Sequence, residues 1–83
     1  MDTEQIRAVI TGLVRGMDGV DAGRMSTTAS FDELGIDSMD TMELHRKVED
    51  KFGVEVPDEQ LPMIGSIEDL VNFVASAKEE VSR

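Results

Sequence analysis

The chain lacks several residue types on which many small proteins depend. It has no cysteine, tryptophan or tyrosine among its 83 residues, and its aromatic side chains are three phenylalanines. The absence of cysteine excludes disulfides and any thiol chemistry native to the chain. Apolar residues make up 40%, which is enough for the modest core of one small domain. We therefore predict a single domain over residues 1–83, with its core at about residues 3–77.

Basic residues and long apolar runs are also scarce. Eighteen acidic residues against eight basic ones give a net charge of −10, which argues against nucleic acids and anionic membranes as partners. A basic protein surface would fit this charge, although acidity also simply keeps small proteins in solution. No apolar run approaches the roughly 20 residues of a membrane span, and the N-terminus lacks the features of a signal peptide. We expect a cytoplasmic monomer.

The spacing of apolar residues predicts an all-α fold, a small bundle of three main helices plus one short helix. The first helix, capped by Asp2 or Thr3, and the last helix, capped by Ser66, each carry one apolar stripe that should face the core. The alternating residues 54–56 have no partner strand and are expected to form an extended connector. The two stripes comprise Ile6, Val9, Ile10, Leu13, Val14 and Met17, and Ile67, Leu70, Val71, Val74 and Ala77.

A polar loop over residues 18–30 separates the first two helices, and Val20 and Met25 are the apolar residues that should attach it to the core. A Ser-x-x-Glu pattern at Ser30 and Glu33 predicts one capped helical turn. The buried side of this turn is expected to comprise Phe31, Leu34 and Ile36.

The second helix is predicted from about Ser38 to Lys51, with Gly53 at its C-cap. Its core face is expected to comprise Thr41, Leu44, Val48 and Phe52. A short helix should follow from Pro57 and stop at Pro62, because proline removes a backbone donor.

The stretch 35–44 is the most informative part of the chain. Asp37 is a good N-cap, and with Asp40 it forms a carboxylate variant of the capping box. Ser38 then lies in the first turn of the second helix, where its side chain faces water and the helix dipole favours a phosphate. A hydroxyl at this position is well placed to be modified and poorly placed to act as an unaided nucleophile.

Two other kinds of site fit the same residues poorly. A catalytic serine needs a base within about 3 Å, but His45 is seven residues along the same helix, about 10 Å up the axis, and is expected to be exposed or half-buried. A calcium loop starting at Asp32 would have Leu34 and Ile36 at ligand positions and Asp37 where glycine is required. We therefore predict neither a catalytic residue nor a metal site.

The run Phe-Asp-Glu-Leu-Gly-Ile-Asp-Ser-Met-Asp at residues 31–40 resembles the attachment site of acyl carrier proteins. The similarity continues in register through residues 41–44 and 51–59 and covers roughly residues 3–74. In that family the serine of an Asp-Ser-Leu or Asp-Ser-Met core carries a 4′-phosphopantetheine arm. The resemblance therefore implies that Ser38 is the attachment residue, with Asp37 beside it.

The resemblance also implies partners and binding surfaces. A phosphopantetheinyl transferase would add the arm from coenzyme A with Mg²⁺, and the arm would present thioesters to an acyltransferase, a ketosynthase or other acyl-processing enzymes. The chain itself would be a carrier and not an enzyme. The surface for partner enzymes is expected at Met39, Asp40, Met42, Glu43 and Arg46. A pocket between helices would shelter the acyl chain, with Leu44, Val48, Ile64 and Val71 as candidate lining residues.

The sequence departs from the carriers of fatty-acid synthesis at two places. Met39 follows the serine where those relatives commonly have leucine, and Arg46 lies on the stripe with Met39 and Met42 where they usually show an apolar residue. These differences favour a specialised carrier of polyketide or related secondary metabolism. Separately, the initial Met and the end of the chain soon after the last helix favour a freestanding carrier. The alternatives are a fatty-acid carrier, a peptidyl carrier, and an unmodified acidic module that binds a basic helix.

Overall fold

The computed structural model of the chain describes residues 2–17, 20 and 26–81. Within these residues the predicted all-α architecture is confirmed, and the pairing of extended segments is limited to one bridge between Ser30 and Ser66. None of the helices in these ranges is long and apolar enough to cross a membrane. The elements are α1 (Thr3–Arg15), α2 (Ser38–Phe52), a 3₁₀ helix (Asp58–Met63) and α3 (Ile67–Val81).

Residues that the sequence predicts as N-caps lie at the start of α1 and of α3. Asp2 rather than Thr3 caps α1: its carboxylate accepts from the Gln5 backbone N–H at 2.9 Å, and the Gln5 side chain accepts from the Asp2 N–H at 2.9 Å. At α3 the Ser66 hydroxyl accepts from the Asp69 N–H at 3.2 Å. These bonds satisfy backbone donors that lack partners within the helix.

Polar contacts fasten α3 to the other two helices. The Arg7 guanidinium of α1 donates to both carboxylate oxygens of Glu68, from Nε at 3.0 Å and from Nη2 at 2.5 Å. At the other end, Lys78 Nζ donates to the carbonyl of Phe52 at 3.0 Å. The second bond occupies a carbonyl in the last turn of α2, where a cation is also favoured by the helix dipole.

One apolar core joins the helices and the segments between them. Most residues of the predicted stripes are buried, while Val9, Leu13 and Ala77 are partly buried against the core. Val20 packs against the core as predicted, and Met25 lies outside the described residues. The buried apolar residues are Ile6, Ile10, Val14, Met17, Phe31, Leu34, Ile36, Leu44, Val48, Phe52, Val54, Val56, Ile64, Ile67, Leu70, Val71 and Val74.

The turn before α2 forms as the Ser-x-x-Glu pattern predicts. The Glu33 N–H donates to the Ser30 hydroxyl at 3.2 Å, and the Glu33 carboxylate accepts from the Ser30 N–H at 3.3 Å. The Phe31 N–H donates to the carbonyl of Gly65 at 2.9 Å. This last bond ties the turn to the segment that leads into α3.

Three sequence expectations about α2 and the short helix need correction. His45 was expected at the surface or half-buried, but it is only 4% exposed. Thr41 was expected in the core and is half-buried instead. Pro62 does not stop the short helix, which ends at Met63, because the φ of proline fits a 3₁₀ helix and its missing N–H costs a single bond there.

The C-terminal end of α2 leads into the predicted connector. The helix ends at Phe52, one residue later than expected, and Gly53 follows with a left-handed φ of 69°. Glycine suits this position because the left-handed conformation is unfavourable for residues that have a Cβ. Val54 and Val56 are buried, and the Val56 N–H donates to the Glu49 carboxylate at 2.8 Å.

Candidate functional site

The chain makes a sharp turn immediately before α2. Gly35 has a φ of +84°, a conformation that glycine adopts at little steric cost. The Ile36 N–H then donates to the carbonyl of Phe31 at 2.9 Å, and the Ile36 side chain is buried. The turn therefore anchors Ile36 in the core and places Asp37 at the N-cap.

Asp37 caps α2, but only one of the two hydrogen bonds of the predicted capping box forms. Its carboxylate accepts from the Asp40 N–H at 2.9 Å, whereas the reciprocal bond from the Asp40 side chain is not seen in this described segment. The Asp37 carbonyl instead accepts from the Thr41 N–H at 2.9 Å and from the Thr41 hydroxyl at 2.8 Å. The first turn is therefore fixed on both sides of Ser38.

Ser38 is the first residue of α2, and its side chain is exposed. The first backbone N–H groups of a helix have no partner within the helix and carry the positive end of its dipole. The Ser38 hydroxyl is therefore open to another molecule at a position that favours a negatively charged group.

A groove of about 710 Å³ begins at Ser38 and runs between the first half of α2, the turn before it and the 3₁₀ helix. Its lining combines exposed polar residues near Ser38 with buried, mostly apolar residues. A groove of this size accommodates a small acyl or drug-sized molecule. The lining residues are Ser30, Phe31, Asp32, Ile36, Asp37, Ser38, Thr41, Met42, His45, Leu61, Pro62, Ile64 and Gly65.

The candidate pocket residues are divided between this groove and the core. Ile64 lines the groove. Leu44, Val48 and Val71 have no exposed surface and belong to the core cluster. Their role as pocket lining stays a prediction.

The candidate partner surface lies along the exposed side of α2. Met39 and Met42 are 79% and 63% exposed. Glu43 and Arg46 are exposed and Asp40 is half-buried. Met63, at the end of the 3₁₀ helix, is also 71% exposed, which the sequence reasoning did not single out.

His45 is the groove residue that the sequence reasoning missed. Burial lowers the pKa of its imidazole, and the negative charge of Glu49 opposes this shift. Its ring meets that of Phe31 edge to face, with centroids 6.4 Å apart and an interplanar angle of 68°, a favourable arrangement for aromatic pairs. The signal that could have indicated burial is its spacing, four residues after Thr41 and three before Val48 on the predicted core face of α2.

The described residues include no group of His, Cys, Asp or Glu side chains arranged to hold a metal ion. The acidic side chains around α2 instead act singly. Asp37 caps α2, Glu33 closes the preceding turn, and Glu49 holds the connector at Val56.

Comparison with known proteins gives two findings. A family model described as the phosphopantetheine attachment site matches residues 8–74, more than half of the chain. A chain in the cryo-EM structure of the Tetrahymena thermophila mitochondrial ATP synthase superposes with a TM-score of 0.87 at 22% sequence identity. The superposition covers 99% of this chain and 77% of that chain. At this identity the second likeness concerns the fold alone.

Proposed function

The chain belongs to the family of phosphopantetheine-attachment domains, and on that premise we propose that Ser38 is the residue that carries the arm. The predicted cofactor, covalent 4′-phosphopantetheine, is confirmed by the family match. The observation that carries the assignment of Ser38 is its exposed hydroxyl at the first residue of α2, where a groove begins.

The residues around Ser38 fit a phosphate-linked arm. The helix N-terminus favours the phosphate, and the groove offers a partly apolar surface beside it. When bound, the arm supplies the thiol that holds an acyl group as a thioester, a group that the chain cannot supply because it has no cysteine. The protein contributes a rigid helix start, an exposed attachment point and a surface for recognition.

We further propose that partner enzymes recognise the exposed side of α2. Met39 and Met42 offer adaptable apolar contacts, while Asp40, Glu43 and Arg46 supply charges that orient a partner. The partners would be a phosphopantetheinyl transferase and acyl-processing enzymes such as an acyltransferase or a ketosynthase. The position of Arg46 beside the methionines supports a specialised polyketide pathway over a fatty-acid one. That the chain is a single domain, a monomer and cytoplasmic stays a prediction.

The assignment of Ser38 is tested by intact mass spectrometry. Purified protein is incubated with coenzyme A, Mg²⁺ and a broad-specificity phosphopantetheinyl transferase. We expect a gain of one phosphopantetheine in the wild type and in Ser76→Ala, which removes an exposed hydroxyl on α3, and no gain in Ser38→Ala. Modification of Ser38→Ala, or no gain in folded wild type alongside a modified control carrier, would contradict the assignment.

A further inference from the structure

Both ring nitrogens of His45 are buried without a hydrogen-bond partner among the residues that the structure describes. A buried polar atom left unpaired costs about 1–3 kcal/mol, so such atoms normally find a partner in the protein, in water or in a ligand. Burial also lowers the pKa of this histidine. The neutral imidazole that results has one N–H donor and one lone-pair acceptor to offer.

The position of His45 points to where a partner would come from. His45 lines the groove that begins at Ser38, and it lies seven positions after Ser38 on α2, which corresponds to about 10 Å along the helix axis. Within the described lining, the other buried residues are Phe31, Ile36 and Ile64, all apolar. His45 is therefore the polar group in the buried part of an otherwise apolar surface.

We infer that His45 makes the groove selective for acyl chains that carry a ketone or hydroxyl oxygen in addition to the thioester carbonyl. This inference rests on the proposed attachment of the arm at Ser38. The imidazole N–H would donate to a carbonyl oxygen of the chain, or either ring nitrogen would pair with a hydroxyl. A fully saturated chain of the same length makes neither bond and leaves both nitrogens unpaired. The substrate class implied is a partly reduced or unreduced keto-acyl intermediate.

The histidine itself is a convenient probe, because it is the only one in the chain. The imidazole ¹⁵N resonances are recorded for four forms of the protein. These are the unmodified protein, the protein with phosphopantetheine, and the protein with hexanoyl- or 3-oxohexanoyl-phosphopantetheine. Intact mass confirms each state, so a failure of attachment at Ser38 is distinguished from a failure of this inference. We expect a clear shift of the ring resonances in the 3-oxohexanoyl form, with the other three states close together.

A second measurement tests the energetic consequence. The protection of a thioester is the hydrolysis rate of the free acyl-pantetheine divided by the rate on the protein. We expect His45→Leu, which keeps the groove apolar, to lower the protection of 3-oxohexanoyl about fivefold, as expected for one lost hydrogen bond, and to leave hexanoyl unchanged. Asn72→Leu makes a comparable polar-to-apolar change at an exposed position of α3 that does not line the groove, so in this control the protection of both acyl groups should be unchanged.

Three results would overturn the inference. Ring resonances that are identical in all four states would show that nothing on the arm reaches His45. Equal shifts in the hexanoyl and 3-oxohexanoyl forms, or an equal shift with phosphopantetheine alone, would show that the chain oxygen is not the partner. An equal loss of protection for both acyl groups in His45→Leu would show that the histidine contributes packing alone and makes no hydrogen bond with the chain.

Discussion

The two sides of α2 differ in what they contact and in the kind of residue they carry. On one side, Leu44 and Val48 have no exposed surface and lie in the core. On the other, Met39 and Met42 are mostly exposed and follow Ser38 along the helix. The core side fixes where the helix lies, and the exposed side determines what can reach it. On the proposed function, stability and recognition should depend on different positions of one helix, so substitutions should separate them.

The largest expected effect is on stability and comes from the core side. Leu44→Ala should lower the free energy of unfolding by about 2–5 kcal/mol, because it leaves a cavity in a fully buried site. Met39→Ala, on the exposed side, should change it by no more than about 0.5 kcal/mol. Urea unfolding followed by far-ultraviolet circular dichroism measures both. Similar losses in the two variants would mean that the two sides are not energetically distinct.

The next effect concerns recognition and comes from the exposed side. Arg46→Glu should lower turnover with an acyl-processing partner enzyme on the order of tenfold, because reversing a charge at an interface slows encounter. Addition of phosphopantetheine should be largely retained. Lys51→Glu makes the same charge change at the far end of α2, at another exposed position, and serves as the control. Equal turnover for wild type and Arg46→Glu would show that this arginine does not contribute to the partner surface.

The smallest effect concerns His45, a buried residue of α2 that lines the groove. Burial lowers its pKa from the ordinary 6.5 in the folded protein, so near and below that pH the unfolded chain binds more protons than the folded one. The free energy of unfolding should therefore fall as the pH drops through this range. In His45→Leu this part of the pH dependence should disappear.

Urea midpoints between pH 7.5 and pH 5.5 measure the histidine effect. Glu68 does not titrate between pH 7.5 and pH 5.5. Its hydrogen bonds with Arg7 lower the pKa of the Glu68 carboxyl from 4.5, so this carboxyl titrates at lower pH. The stability due to Glu68 is present above pH 4.5 and is lost at lower pH. Parallel pH profiles for wild type and His45→Leu would show that another group causes the change.

Local signals explain why much of the fold could be predicted. Asp2, Asp37 and Ser66 cap helices through bonds to residues three positions away, so the information lies within one turn. Gly53 stands where a left-handed residue ends α2. The apolar stripes follow from helical periodicity. The position of Ser38 at the start of α2 depends only on these local features.

The groove could not be predicted in the same way, because it is formed by residues distant in the sequence. Leu61 and Pro62 reach it through the placement of the 3₁₀ helix, which no periodic pattern encodes. Leu44, Val48 and Val71 are candidates for the lining of a pocket that the family resemblance implies. They lie in the core, and their role as pocket lining stays a prediction. The burial of His45 was missed because histidine is common both inside and outside proteins.

The hydrogen bonds that join the turn before α2 to the start of α3 have a mechanical consequence. Phe31 is bonded to Gly65 and Glu68 to Thr27 through backbone N–H donors at 2.9 and 2.8 Å. The opposite edge of the groove is the 3₁₀ helix Asp58–Met63, which buries no residue completely and has no side-chain cap. Because segments with few buried contacts open at low free-energy cost, the groove has one stiff edge and one compliant edge. We therefore expect a longer cargo on the proposed arm to displace the 3₁₀ helix, while Ser38 keeps its place.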